Sequence, residues 1–248
     1  MGKIVWHYDE IMPADRLQAS ALILVLHGFG NTKDDYKNIG KSFASQFPEA
    51  RIITPDAPLQ TMNSLPALAR MIVKAKTPKE NFEEARKGRS WYNVNPLTLK
   101  WRIRSNAIPE VSQLNDFITT QLEKDHLPDS RLILFGFSQG GSMALMAGLR
   151  RQRPPGMVIC HSGFLPAAFT AVSKPQVEII RGQKEFEHDK GAVIRFLGYD
   201  YKNTAQSLEQ IGQPQTTHII PDLDHSINKE SLATATQLIR QKLSFTPA

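Results

Sequence analysis

The sequence predicts an α/β protein built on a mostly parallel central sheet with helices on both faces. Three observations carry that prediction. Short apolar, β-branched runs alternate with segments of helical pattern. From residue 21 onward most of the strand-like runs are continuously apolar, as in a sheet buried on both sides. The segments between them are long enough for right-handed crossovers. No internal repeat, low-complexity tract or polar linker divides the 248 residues, so one domain over 1–248 is expected.

The first strand is expected at 3–8 (KIVWHY) and the second at 21–27 (ALILVLH), followed by a helix over 33–47. RIIT at 51–54 is the third strand. A long basic stretch over 61–104, punctuated by Pro66, Pro78 and Pro96, interrupts the alternation and is expected to be an insertion or lid. The pattern then resumes with a helix at 108–124, strands at 131–136 and 156–161 separated by a helix at 139–150, and a strand at 176–181. Residues 183–201 form a second excursion that lacks a clear helical stripe at first. A helix at 203–210, a strand at 216–220 and a helix at 229–243 close the pattern.

Composition excludes several classes. With 41% apolar and 8% aromatic residues the chain is not a disordered one. No apolar run approaches the ~18 residues of a membrane-spanning helix. The N-terminus MGKIVWHYDE lacks a signal-peptide core, and Trp6 stands where a myristoylation signal needs Ser or Thr. The single cysteine, Cys160, can form no internal disulfide and makes a Cys/His zinc cluster improbable, so a reducing, cytoplasmic compartment is the expectation. The net charge of +6 is uneven: residues 70–104 carry ten basic and three acidic side chains, leaving the rest of the chain near neutral. That patch suits an anionic membrane or acidic partner, or is a solvated surface; it carries no zinc-finger, RRM or basic-zipper pattern, and nucleic acid is not expected.

The sharpest chemical signal is GFSQGG at 136–141, set between the apolar strand RLILF and a run of helix formers. This is the strand–turn–helix context of a nucleophile elbow, in which Ser138 sits on a tight turn and glycines let the helix pass close to the strand. The N–H of Gln139, at the helix N-terminus, is placed to face an oxyanion. LHGFG at 26–30 ends an early strand and offers the Phe29 N–H as a second donor. His27 in that turn is expected to brace the loop. A serine nucleophile needs a base. Of the seven histidines, His225 in PDLDHSI follows the last strand and precedes the last helix, which returns it to the same sheet edge as Ser138. His218 lies inside a strand, His161 at a strand end and His188 among charges; His7 and His126 have no supporting context. The acid that orients His225 should follow the strand at 176–181. The loop GQKEFEHD offers Glu185, Glu187 and Asp189, and its composition does not choose among them.

Together LHGFGNTKDDY (26–36), RIITPDAP (51–58), SWYN (90–93), RLILFGFSQGGSMAL (131–145), HSGFLP (161–166) and DHSIN (224–228) resemble the carboxylesterase/acyl-protein thioesterase (phospholipase/carboxylesterase) family of α/β-hydrolases. The resemblance implies an α/β-hydrolase fold and a serine hydrolase of carboxylic esters or thioesters that needs no metal or cofactor. It implies Ser138 as nucleophile, His225 as base, and the Phe29 and Gln139 amides as oxyanion hole. Three features depart from the family pattern. Glu185 stands where the family writes aspartate, and an insertion before Asn203 leaves Asp189 as the alternative acid. The stretch between Pro58 and Trp91 is longer than the pattern and makes a lid, a membrane-surface helix or a solvated insertion. KWRIR at 100–104 replaces acidic residues, which bears on substrate choice. The competing expectation is a catalytically impaired hydrolase-fold protein that binds a partner through the basic insertion.

Overall fold

The computed structural model describes residues 4–14, 18–65, 87–94, 109–166, 169–187 and 204–245. Among them the strands are β1 (Tyr8–Ile11), β2 (Ala21–Leu26), β3 (Ala50–Pro55), β4 (Leu59–Gln60), β5 (Arg89–Ser90), β6 (Leu132–Phe137), β7 (Met157–His161), β8 (Gln176–Gly182) and β9 (Thr216–Ile220). The helices are α1 (Lys37–Gln46), α2 (Thr61–Ser64), α3 (Pro109–Lys124), α4 (Gln139–Arg150), α5 (Lys184–Glu187), α6 (Thr204–Gln210) and α7 (Lys229–Phe245). Seven strands form one sheet in the order β1-β3-β2-β6-β7-β8-β9, and β4 pairs with β5 apart from it. Every pairing in the large sheet is parallel except β1 with β3.

The continuous apolar run of β2 resolves into two faces because side chains alternate along a strand. Leu22, Leu24 and Leu26 join Leu114, Phe117 and Ile118 of α3 and Met143 to Ala147 of α4 in one core. Ala21, Ile23 and Val25 point the other way, into a second core with Phe43 of α1 and Ala235, Leu238 and Ile239 of α7. Each fully buried aliphatic side chain contributes about 1.5–3 kcal/mol, so two sides of one strand hold both helical layers.

Two sequence expectations shift. The first strand occupies Tyr8–Ile11, not 3–8. Its register is set by β3, with Tyr8 opposite Pro55 and Ile11 opposite Ile52. Trp6 instead turns into the aromatic cluster of Phe117 and Trp91, at centroid distances of 5.0 and 6.4 Å, so apolar residues that look strand-like are spent on side-chain packing. The helix expected from residue 33 starts at Lys37, after a 3-10 turn at Asp34–Tyr36. There Asp35 accepts the Thr32 N–H at 2.8 Å and Asp56, 23 residues away, accepts the Lys33 N–H at 2.8 Å, so both N–H groups ahead of the 3-10 turn are satisfied by side chains. Most of the 61–104 insertion, including KWRIR at 100–104, lies outside the described residues, as do His188 and Asp189.

The α4 helix leaves β6 so abruptly that its first turn presses on the end of β2. A Cβ at Gly140 would overlap the carbonyl oxygens of Leu26 and His27, backbone atoms that cannot yield. Gly140→Ala is therefore expected to cost about 3 kcal/mol or more and to lower the thermal midpoint by about 10 °C. A melting curve coincident with the native chain's would refute this close-approach argument.

Candidate active site

The C-terminal ends of β2, β6, β7, β8 and β9 lie along one sheet edge, because these strands are mutually parallel. The registers place Leu26 beside Gly136, Phe137 beside His161 and Gly182 beside Ile220. The loops carrying residues 27–30, 138–139, 162–163, 183–185 and 221–225 thus converge by topology alone.

Ser138 stands on the sharp turn between β6 and α4 with φ +54° and ψ −116°, a conformation that L-residues rarely take. Its N–H donates to the His161 carbonyl at 2.8 Å, and its own carbonyl accepts the Ser142 N–H at 3.0 Å. The backbone is over-determined, and the hydroxyl takes no part in holding it. His225 Nε2 lies 2.9 Å from Ser138 Oγ. Its ring rests on Phe137, the residue before the serine, at 5.1 Å between centroids.

The third group arrives by loop zippering. Gln183 N–H donates to Ile220 O and Lys184 N–H to Leu223 O, each at 2.9 Å, so the loop after β8 is sewn to the loop that carries His225. Gly182 permits this approach: a Cβ there would overlap Leu223 O and Asp224 O. The result sets Glu185 Oε2 3.5 Å from His225 Nδ1. Its other oxygen, Oε1, accepts the Ser162 hydroxyl and the Gly182 N–H, the latter at 3.1 Å. Arg181 Nη1 lies 3.4 Å from Oε2. The structure brings Ser138, His225 and Glu185 together; of the other two acids in the loop, Asp189 lies outside the described residues.

Burial works against the Glu185 charge, but hydrogen bonds from His225 and Ser162 and the Arg181 guanidinium outweigh it and hold the carboxyl at about 2. The folded value is below the model-peptide value of 4.5, so the stabilisation is full above about pH 4.5 and is lost as pH falls toward 2. Relative to a Glu185→Gln variant, the native chain is expected to lose about 2 kcal/mol of stability between about pH 5 and pH 3. Urea titrations of both proteins across that window check it; a pH-independent difference counts against the ionised, hydrogen-bonded carboxylate.

The His27 ring bonds only to backbone of its own and a neighbouring loop, which shows its structural use. Nδ1–H donates to Gly28 O at 2.8 Å and Nε2 accepts the Ala57 N–H at 3.0 Å. Burial lowers its pKa to about 4, which keeps it neutral and able to accept. The loop 28–31 is also clamped from outside, by Gly30 N–H to Arg89 O at 2.9 Å and Arg89 N–H to Asn31 O at 3.0 Å. The Gln139 side chain is consumed in the same scaffold: its Oε1 accepts the Trp91 N–H and its Nε2 donates to Ser90 Oγ, both at 2.9 Å. Among the described residues, the backbone N–H groups of Phe29 and Gln139 donate no hydrogen bond.

His161, fully buried, points its Nδ1 at Ser162 Oγ at 2.9 Å, and His218 pairs with Glu178 at 2.8 Å away from the site. Burial pushes the Cys160 thiol up to about 12, so it stays protonated and unreactive. Sequence reasoning missed Ser162 and Arg181. The available signal for Arg181 was an arginine ending the apolar strand VEIIR, since a buried cation requires a partner. Nothing in the sequence pointed to Ser162. Among the described residues no group of three or more His, Cys, Asp or Glu is placed to hold a metal ion. No described helix is long and apolar enough to cross a membrane.

A hydroxyl hydrogen-bonded to an imidazole, itself backed by a buried carboxylate, can lose its proton as it attacks an electrophilic carbon. The chain also has relatives of related sequence among known proteins. Over 150 residues the chain is 26% identical to acyl-protein thioesterase 1 of Schizosaccharomyces pombe, covering 60% of this chain and 58% of that protein, less than two thirds of its length. It is 24% identical over 217 residues to lysophospholipase-like protein 1 of Mus musculus, covering 86% and 83% of the two chains. Among solved structures, esterase PE8 superposes with a TM-score of 0.71 at 24% identity over 95% of this chain and 98% of that one. Arabidopsis thaliana SOBER1 follows with a TM-score of 0.66 at 20% identity over 90% and 99%. These likenesses, with the parallel sheet and its order, give the α/β-hydrolase fold. The sequence profile described as Phospholipase/Carboxylesterase matches residues 59–243, from β4 through most of α7, and the chain belongs to that family.

Proposed function

We propose that this protein is a serine hydrolase that cleaves carboxylic esters or thioesters through an acyl-enzyme at Ser138. The observation that carries the reading is the 2.9 Å contact between Ser138 Oγ and His225 Nε2 on a strained turn at a helix N-terminus. In this reading His225 takes the hydroxyl proton as Ser138 attacks the acyl carbonyl. Glu185 holds the imidazole with Nδ1–H toward the carboxylate and stabilises the cation that forms. The unengaged Phe29 and Gln139 amides receive the oxyanion, a donor of this kind being worth about 3 kcal/mol. His225 then returns the proton to the departing alcohol or thiol, and activates the water that releases the acid. The relatives' names, an acyl-protein thioesterase and a lysophospholipase-like protein, favour substrates with an acyl chain. We also infer one hydrolase domain over residues 1–248, with 61–104 as an inserted element.

The test is the intact mass of the purified protein after exposure to a fluorophosphonate, beside a Ser138→Ala control. A single adduct on the native chain alone is expected. No adduct on a folded native chain would move the reading to the impaired, partner-binding hydrolase fold.

A further inference from the structure

We propose that Ser162 is a positioning residue for the acid: its hydroxyl, oriented by His161, pins one oxygen of Glu185 so that the other faces His225. This rests on the reading of Ser138, His225 and Glu185 as a catalytic triad.

A glutamate in the acid position has one more rotatable bond than an aspartate, so its carboxylate must be held by its surroundings to stay aligned. The holding groups are Ser162, Gly182 and Arg181. Oε1 accepts from the Ser162 hydroxyl and from the Gly182 N–H at 3.1 Å, which leaves Oε2 for His225 Nδ1 at 3.5 Å and Arg181 Nη1 at 3.4 Å. Ser162 has φ +53°, in the left-handed region that favours glycine. Its backbone is fixed by its N–H donating to Ile180 O at 2.9 Å, a bond that glycine would keep. What serine adds at this strained position is the hydroxyl.

The proton count then fixes the direction of the whole chain of bonds. An ionised carboxylate only accepts, so the single Ser162 proton goes to Glu185. His161 Nδ1, 2.9 Å from Ser162 Oγ, must therefore be the protonated nitrogen and the donor. His161 is fully buried, and burial lowers its pKa to about 4, so it is the neutral Nδ1–H tautomer over the working range. Its ring lies edge-on to Phe137 at 5.2 Å, and Phe137 also carries the His225 ring at 5.1 Å. The donors run His161 to Ser162 to Glu185 without any proton changing owner during the reaction.

The experiment uses the full chain, a short-chain p-nitrophenyl ester, and four proteins: native, Ser162→Gly, Glu185→Gln and the double variant. Ser162→Gly is expected to lower kcat about tenfold while KM stays within about twofold, because orientation and not binding is lost. In the Glu185→Gln background the same change is expected to alter kcat less than about twofold, since the side chain that Ser162 holds no longer carries the charge that orients His225. A merely structural serine would lower kcat by the same factor in both backgrounds, which would overturn the proposal. A kcat for Ser162→Gly within about twofold of native would also overturn it. Ser162→Ala, assayed in parallel, keeps the test open should the glycine variant fold poorly. A native chain with neither turnover nor a fluorophosphonate adduct would sink the triad reading itself, and the positioning role with it. Reactive Ser138 with an indifferent Ser162 sinks the positioning role alone.

Discussion

Ser138→Ala is expected to lower ester or thioester turnover by about four to six orders of magnitude and to leave folding intact. The size follows from losing the nucleophile outright, so that only binding and the oxyanion donors remain to assist water. Folding is spared because the side chain bonds to His225, whereas the turn is held by backbone bonds to His161 and from Ser142. Alanine at φ +54° is strained much as serine is. Steady-state kinetics with a thermal melt on the same preparation checks both halves. Residual turnover within tenfold of native would mean that the chemistry lies elsewhere.

Glu185→Gln should lower kcat/KM by about 10³–10⁴-fold. The amide is close in shape, so the loss is electrical and tautomeric. A glutamine that keeps its oxygen toward Ser162 and Gly182 turns its NH₂ toward His225 Nδ1 and Arg181, both donors in the native arrangement. His225 is then driven to the tautomer that cannot accept from Ser138, and its cation loses its counter-charge. Glu185→Asp keeps the charge but shortens the reach, and is expected to retain more activity than glutamine does. Neutral variants also separate the two acids that the family resemblance left open, Glu185 and Asp189. If Glu185→Gln stays within tenfold of native and Asp189→Asn does not, the acid is Asp189.

The fold was legible because burial on both faces writes itself into composition. Ala21–Leu26, Leu132–Phe137 and Met157–His161 read as apolar runs since each side chain meets a helical layer. The first strand misled for the same reason in reverse: Ile4, Val5 and Trp6 are apolar, but Trp6 serves an aromatic cluster and the ladder begins only at Tyr8. Ser138 was legible because a strained turn between strand and helix needs glycines that stand beside the serine in sequence. His225 was legible from its place between the last strand and last helix.

Glu185 was legible only as one of three acids. Its place beside His225 depends on two backbone bonds from residues 183 and 184 to the loop after β9, and on a glycine at 182 that lets the loops touch. The support behind it was less legible still: an arginine ending the apolar strand VEIIR was the one signal, and nothing pointed to Ser162. Ser162 lies 23 residues from Glu185 and is brought there by the parallel pairing of β7 with β8, whereas Arg181 lies four residues away on the strand that leads into the loop. By itself the sequence determined most of the elements, the mostly parallel class of the sheet and the strand–turn–helix elbow that carries Ser138, because these rest on local periodicity and local turn chemistry. The tertiary structure decided which acid faces the imidazole and what holds it, because hydrogen bonds between strand ends depend on distances that no spacing along the chain encodes.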